Sequence, residues 1–191
     1  PMSRIPPAAA ETLSDDMRES LAYAESLMGF VANDVLTMAH WPEFLDAVKS
    51  VVAVVYAPGQ LDAGLKRLVA HVVSHAAGCT YCQAHTAHGA VELAGVDADK
   101  LRDVWAFETD DRFSEAERAA LRLATAAGSV PNETTDTHFS ALREHFSERA
   151  IMELMGVISL FGLLNRWNQT LATTLEEKPA AFVSRYVDDA D

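Results

Sequence analysis

Both cysteines of the chain lie in the segment Gly78-Cys79-Thr80-Tyr81-Cys82-Gln83-Ala84-His85, where two residues separate them. If a helix begins at Cys79, the unpaired N–H groups of its first turn and the positive end of its dipole favour a thiolate at both sulfurs. The spacing also lets a cysteine that has attacked a substrate form a disulfide with its neighbour. The segment therefore predicts a redox-active dithiol, provided that a substrate can reach the sulfurs.

Four of the seven histidines, His71, His75, His85 and His88, lie within eighteen positions that include both cysteines. His71 and His75 are four residues apart and share one face of a helix, with Arg67 one turn earlier. An imidazole near the sulfurs could take a proton from a thiol and return it to a leaving hydroxide or alkoxide. We expect His88, by contrast, to be exposed to solvent.

Two alternatives to a redox dithiol remain open. Cys79, Cys82, His85 and His88 supply the atoms of a zinc site, but successive steps of three residues spread them around half of one helix. A zinc site that combines Cys79, Cys82, His75 and His85 from two helices is still possible. The cysteines could also be an inert buried pair.

The composition limits the protein that surrounds this segment. The chain has 191 residues with 49% apolar content, which predicts a single domain with its own core over residues 1–191. Its 15 basic and 28 acidic residues give a formal charge of -13, which disfavours nucleic acid and anionic lipid surfaces as partners. No signal-like segment stands at the N-terminus, and two cysteines are too few for a stapled secreted scaffold, so we expect a cytoplasmic protein.

Apolar residues recur mostly at helical spacing, which predicts an all-α fold. Caps and breakers place helices over 14–29, 42–56, 62–77, 79–95, from about 115, over 136–145 and from 148 to about 171. A turn is expected around Asn33 and Asp34. The run Val51-Val52-Ala53-Val54-Val55-Tyr56 could be a buried strand, although helix is preferred.

The segment from Glu148 to Leu171 is apolar on almost every side. A membrane span needs about 20 uninterrupted apolar residues. Glu153, Asn165 and Arg166 leave a much shorter run, so the segment predicts a core helix or a subunit contact. The acidic tail after Lys178-Pro179 is expected to pack peripherally or to fray.

The segment from Leu61 to about Leu93, and above all residues 77–87, resembles the alkylhydroperoxidase D-like, or carboxymuconolactone decarboxylase-like, family. Three further segments resemble its peroxidase-related branch, so the likeness covers nearly the whole chain. These segments are Gly29-Phe30-Val31-Ala32-Asn33-Asp34, Phe113-Ser114-Glu115-Ala116-Glu117-Arg118 and Phe161-Gly162-Leu163-Leu164-Asn165-Arg166-Trp167.

This resemblance implies an all-helical, oligomeric protein, commonly a trimer or hexamer, with its redox CxxC motif at a helix N-terminus and no cofactor or metal. By analogy Cys82 attacks a small-molecule hydroperoxide, Cys79 resolves the product as a disulfide, and an external thiol or thioredoxin-like carrier reduces it again. His85 is the nearest match to the family's proton-relay histidine, and Tyr81 between the cysteines is a supporting candidate.

The chain departs from the family pattern at two positions. Arg67 stands twelve residues before the first cysteine, where the pattern has glutamate, and His85 follows Cys82 by three residues instead of four. Our hypothesis is that His75 substitutes for the missing carboxylate and that Arg67 lowers the thiol pKa by its charge.

Three functions follow from these residues. The leading one is a thiol-dependent oxidoreductase that reduces hydroperoxides through a Cys79/Cys82 dithiol–disulfide cycle. An acid–base enzyme acting on a small lactone or carboxylic acid would explain the histidines but leave the cysteines without a task. A non-enzymatic redox-sensing or metal-binding oligomer is the third.

Overall fold

The computed structural model describes residues 3–186, and every regular element within them is helical. The α-helices are α1 Asp15–Met28, α2 Asn33–Met38, α3 Pro42–Tyr56, α4 Ala63–Ala76, α5 Thr80–Glu92, α6 Ala98–Arg102, α7 Glu115–Gly128, α8 Asp136–Arg143, α9 Glu148–Leu171 and α10 Glu177–Tyr186. Short 3₁₀ helices occupy Ala10–Thr12 and Val104–Ala106. The all-α prediction is confirmed for this part of the chain.

Local capping signals explain where the predicted helices begin. The Ser14 side chain accepts a hydrogen bond from the Met17 amide, Asp62 caps α4, and Ser114 and Glu117 form a reciprocal capping box on α7. Each side chain satisfies a backbone donor that has no partner inside its helix. Pro42 occupies the first turn of α3, where its missing N–H costs nothing.

Two local expectations are corrected. Asn33 and Asp34 do not form a turn but open the short helix α2, which buries Thr37 and Met38. The valine run of α3 is helical, so the strand alternative is wrong. Tertiary packing decides both cases, because Leu45 and Val48 of α3 are buried together with Met38 of α2 in a small apolar cluster.

Helix α4 lies at the centre of the core and packs against α5, α7 and α9. Its lysine, Lys66, is buried and donates to the carbonyls of Val55 and Ala57, while Glu153 of α9 lies 3.6 Å from its Nζ. These contacts join α4, α9 and the end of α3, because a buried ammonium must be paired and hydrogen-bonded.

Helix α9 runs for 24 residues and carries nine buried side chains, among them Leu154, Val157 and Phe161. It is long and apolar enough to cross a membrane, but the central helix of a globular core has the same properties. Its burial against α4, α5 and α3 agrees with the predicted core helix.

The chain after α9 does not fray over the described residues. It turns at Ala172, which has a left-handed backbone with φ 50, and enters α10. Helix α10 packs against α5 and buries Phe182, while Lys178 donates to the Met28 carbonyl at the end of α1. This arrangement fixes the short α9–α10 connection beside the start of α5. The tail predicted after Lys178-Pro179 thus packs against α5 as far as Tyr186, and residues 187–191 lie outside the described residues.

Candidate active site

Cys79 is the N-cap residue of α5, and Cys82 lies in the first turn of the helix. Gly78, with φ 72, lets the chain reverse between α4 and α5, a conformation that glycine adopts without a Cβ clash. The Cys79 Sγ then accepts a hydrogen bond from the Cys82 amide, 3.4 Å away. The local sequence therefore places one sulfur at the unpaired amides of the helix N-terminus.

The two thiols differ in pKa, so a negative charge is favoured on one of them. A side-chain hydrogen bond from Cys82 lowers the pKa of Cys79, burial opposes this, and the Cys82 and Tyr81 amides assist it. The hydrogen bond with Cys79, burial and the neighbouring charge all raise the pKa of Cys82. The pair thus favours a thiolate on Cys79 with the Cys82 thiol as its donor, which corrects the expectation of a thiolate at both sulfurs.

Both cysteines are reduced and buried, with 1% and 2% of their surfaces exposed. Cys82 lines a cavity of about 220 Å³, whose walls are mostly apolar and include Val52, Leu160 and Phe161. A small molecule can therefore approach Cys82 from this cavity, whereas Cys79 is not among the residues that line it.

His85, one turn after Cys82, lines the same cavity. Its Nε2 lies 2.6 Å from Oε2 of Glu176, a residue 91 positions later in the chain. The Tyr81 ring stacks on the imidazole with centroids 4.3 Å apart, and the Tyr81 hydroxyl donates to the other Glu176 oxygen over 2.8 Å. Glu176 and Tyr81 together hold the imidazole ring in place.

Glu176 places a carboxylate beside His85, although Arg67 stands at the position where the family pattern has glutamate. Burial would raise its pKa, but hydrogen bonds from His85, the Asn33 amide and Tyr81 hold it below the ordinary value. The ionised form is therefore retained although only 9% of the side chain is exposed. No local pattern identifies Glu176, since the α9–α10 turn alone brings it to His85.

Asn168 and Asp34 also reach the site without having been predicted. The Asn168 amide donates to the Cys82 Sγ over 3.4 Å and to the Asp34 carboxylate over 3.3 Å. Asp34 belongs to α2 and Asn168 to α9. Asn168 stands in the mostly polar stretch 165–170 at the end of α9, so no sequence signal singles it out for this contact.

Three predicted histidines lie away from the Cys82 cavity. His71 is buried beside the Thr86 hydroxyl, 3.1 Å from it, and desolvation lowers its pKa to about 4. His75, which was predicted to substitute for the missing carboxylate, is exposed, contacts the Gln83 amide oxygen and packs on Trp105, and it is not among the residues that line the Cys82 cavity. His88 is 2% exposed between Phe30 and Phe182, which contradicts its predicted exposure.

Arg67 of α4 does line the cavity, where its guanidinium lies over the Tyr56 ring, 3.8 Å from the centroid. The pKa values of the two cysteines are shifted chiefly by their mutual hydrogen bond and by burial, and the predicted effect of Arg67 on the thiols stays a prediction. Within residues 3–186, no three histidine, cysteine or acidic side chains are grouped so that they could hold a metal ion.

Comparison with known proteins shows which family and which relatives this chain resembles. The sequence model of the Carboxymuconolactone decarboxylase family matches residues 42–126. The protein YnjA of Escherichia coli (strain K12) is 32% identical over 111 residues, which span 58% of this chain and 60% of that protein. The aligned part thus covers less than two thirds of this relative.

Solved structures match over nearly the whole chain. The debrominase Bmp8 is 31% identical, with a TM-score of 0.87 over 95% of this chain and 97% of that one. A Cys-to-Ala variant of Bmp8 has been solved in complex with 2,3,4-tribromopyrrole. The alkylhydroperoxidase AhpD core protein of Ralstonia eutropha JMP134, described as peroxidase-related, is 27% identical with a TM-score of 0.82 over 96% of both chains.

Proposed function

This chain belongs to the alkylhydroperoxidase D-like, or carboxymuconolactone decarboxylase-like, family, and we propose that it is a thiol-dependent enzyme that reduces hydroperoxides through Cys82 and Cys79. One observation carries the proposal: Cys82 faces an apolar cavity that it shares with the carboxylate-bound His85. A small organic hydroperoxide fits the chemistry of this space, because it combines an apolar body with a weak O–O bond.

In the first step the Cys82 sulfur attacks the distal peroxide oxygen and breaks the O–O bond. The Cys79 thiolate takes the Cys82 proton, and the leaving alkoxide receives a proton from His85. The products are a sulfenic acid on Cys82 and an alcohol. The resting pair keeps its proton on Cys82, the thiol of higher pKa, so the proton passes to Cys79 only as the bond between the Cys82 sulfur and the peroxide oxygen forms.

In the second step Cys79 attacks the Cys82 sulfur and displaces hydroxide, which leaves as water after protonation. The dithiol loses two electrons and two protons, and the hydroperoxide becomes alcohol and water. An external dithiol, such as a thioredoxin-like carrier, restores the cysteines by exchange. Helix α5 need not move as a whole, because the sulfurs belong to the N-cap and the first turn of one helix.

The test is a titration with one equivalent of cumene hydroperoxide, followed by intact-mass measurement and peptide mapping. We expect a loss of two protons and a Cys79–Cys82 crosslink. Cys79→Ser should react more slowly, because it lacks the base, and should accumulate a sulfenic acid that dimedone traps on Cys82. Cys82→Ser should leave Cys79 reduced. A wild-type protein that reacts no faster than a free cysteine thiol would contradict the proposal.

A second candidate, reductive dehalogenation, is favoured by the similarity to the debrominase and by the apolar cavity. Here Cys82 would take bromine from an aromatic carbon, which gains a proton, and Cys79 would displace bromide to form the same disulfide. Incubation with a brominated pyrrole should then release one bromide for each disulfide formed. Disulfide formation with cumene hydroperoxide and no bromide release would leave only the first candidate.

We also propose that the protein is a homo-oligomer. Apolar side chains on α3 and α9 lie open in the single chain, including Val54 with 75% and Met152 with 63% of their surfaces exposed. Exposed apolar surface of this kind commonly marks a protein contact. Light scattering after gel filtration should give a mass of several 20.8-kDa chains, and a monomer would contradict this proposal.

A further inference from the structure

Arg67 is a cation without an acidic partner at the wall of the Cys82 cavity. It stacks on Tyr56 and forms no salt bridge with any side chain of residues 3–186, whereas most arginines of this part of the chain pair with carboxylates. In a chain of net charge -13 acidic partners are abundant. An unpaired guanidinium facing an apolar space therefore calls for an explanation.

The surrounding residues hold the guanidinium in this position. A Cβ on Gly89 of α5 would lie 2.9 Å from the Arg67 Nη1, so the absence of a side chain there makes the space that the guanidinium fills. The Tyr56 ring covers it from the opposite helix α3. The position of the charge is thus set by packing on two sides.

Arg67 also lines two further cavities besides the Cys82 cavity. The Cys82 cavity shares Arg67, Met28, Val52 and Leu164 with a neighbouring apolar groove of about 630 Å³ between α1 and α3. Asp34 lines both spaces but accepts hydrogen bonds from the Val35 amide and Asn168 instead of pairing with Arg67. Lys49 is the other cation of the groove, and it is already bound to Ser20.

We propose that Arg67 binds the anionic group of an apolar substrate, so that the enzyme selects carboxylates or acidic phenols and pyrroles with an apolar body. The anion pairs with the guanidinium, and the body lies in the cavity towards Cys82. The assignment of a substrate rests on the proposed function, whereas the anion site itself does not.

The experiment measures binding without any sulfur chemistry. Octanoate and 1-octanol serve as matched probes with the same chain length and different charge, and isothermal titration calorimetry gives both dissociation constants. The proteins are wild type, Arg67→Gln, Gly89→Ala and, as a charge-matched control in the same groove, Lys49→Gln. Gly89→Ala keeps the charge but displaces the guanidinium, so it tests the site even if Arg67→Gln fails to fold.

We expect Arg67→Gln to weaken octanoate binding by about tenfold or more and 1-octanol binding by less than about twofold, with Gly89→Ala changing in the same direction. Lys49→Gln should bind octanoate as the wild type does. The proposal is overturned if millimolar octanoate does not bind the wild type, if both probes weaken equally, or if Lys49→Gln causes the loss.

The same proteins separate this inference from the proposed function. Octanoate binding that depends on Arg67, in a protein whose cysteines do not react with cumene hydroperoxide, retains the anion site and removes the peroxidase. Rapid disulfide formation in a protein that binds octanoate and 1-octanol equally retains the peroxidase and removes the anion site.

Discussion

Replacing Glu176 with glutamine removes one charge and one hydrogen-bond acceptor from the centre of the site. Glu176 accepts from Tyr81 and Asn33 on Oε1 and from His85 on Oε2. Glutamine offers a single oxygen, so its amide nitrogen faces the His85 ring. Losing a hydrogen bond to a charged group costs about 1.5–3 kcal/mol, and we expect Glu176→Gln to lower the free energy of unfolding at pH 7 by that amount.

The pKa shift of Glu176 sets the direction in which stability changes with pH. The pKa of Glu176 is lower in the folded chain than its ordinary value of 4.5, so unfolding takes up a proton as the pH falls. The stability that Glu176 contributes is present above pH 4.5 and is lost as the pH falls through the lowered folded value. Glu176→Gln should lack this component of the acid destabilisation.

The assay combines urea unfolding between pH 3 and pH 7 with the rate of Cys79–Cys82 disulfide formation under cumene hydroperoxide. A positioned acid or base contributes about 10²–10⁴-fold, so a His85 ring that loses its partner should slow oxidation by at least about tenfold. Glu177→Gln is the control, since it removes the same charge from an exposed neighbour. Equal stability and equal rate in both variants would refute the role assigned to Glu176.

Three further predictions concern the buried ionisable groups. Cys82→Ala should raise the pKa of Cys79, because the side-chain hydrogen bond that lowers this pKa is lost while burial remains. Ultraviolet absorbance of the thiolate measures the change, and an unchanged pKa would contradict the hydrogen-bonded pair. His71 is held neutral with a pKa of about 4 against an ordinary 6.5, so the stability of the wild type should fall as the pH drops from 6.5 to 4. Urea unfolding of His71→Asn should show a free energy of unfolding that depends less on pH over this range. The same pH dependence in both proteins would contradict this prediction. His88→Leu should raise the free energy of unfolding by about 1 kcal/mol, because neither ring nitrogen of His88 has a hydrogen-bond partner; a loss of stability would show that the imidazole is satisfied.

The helix boundaries were predictable because their signals are local. Ser14, Asp62, Ser114 and Pro42 act within one turn of the chain, and the structure places each at the start of a helix. The CxxC spacing is equally local, so the placement of Cys79 at the N-cap and of Cys82 in the first turn of α5 follows from the sequence around Gly78.

Only the tertiary structure decided which side chains surround the sulfurs. Glu176 and Asn168 follow Cys82 by more than 80 residues, and packing of α9 and α10 against α5 brings them to the site. Asp34 arrives through α2, which was expected to be a turn. Hydrophobic periodicity fixes which face of a helix is buried but not its neighbour, because the contact depends on how distant helices pack.

The surroundings of the histidines and of Arg67 were likewise not predictable, because they depend on how distant helices pack. The sequence grouped His75 with the dithiol and left His88 in solvent, whereas the hairpin of α4 and α5 turns His75 outward and α10 covers His88. The sequence determined that the chain is helical and carries a dithiol at a helix start. Which sulfur meets a substrate, which carboxylate holds His85 and where the Arg67 charge points were decided by the packing of segments far apart in the chain.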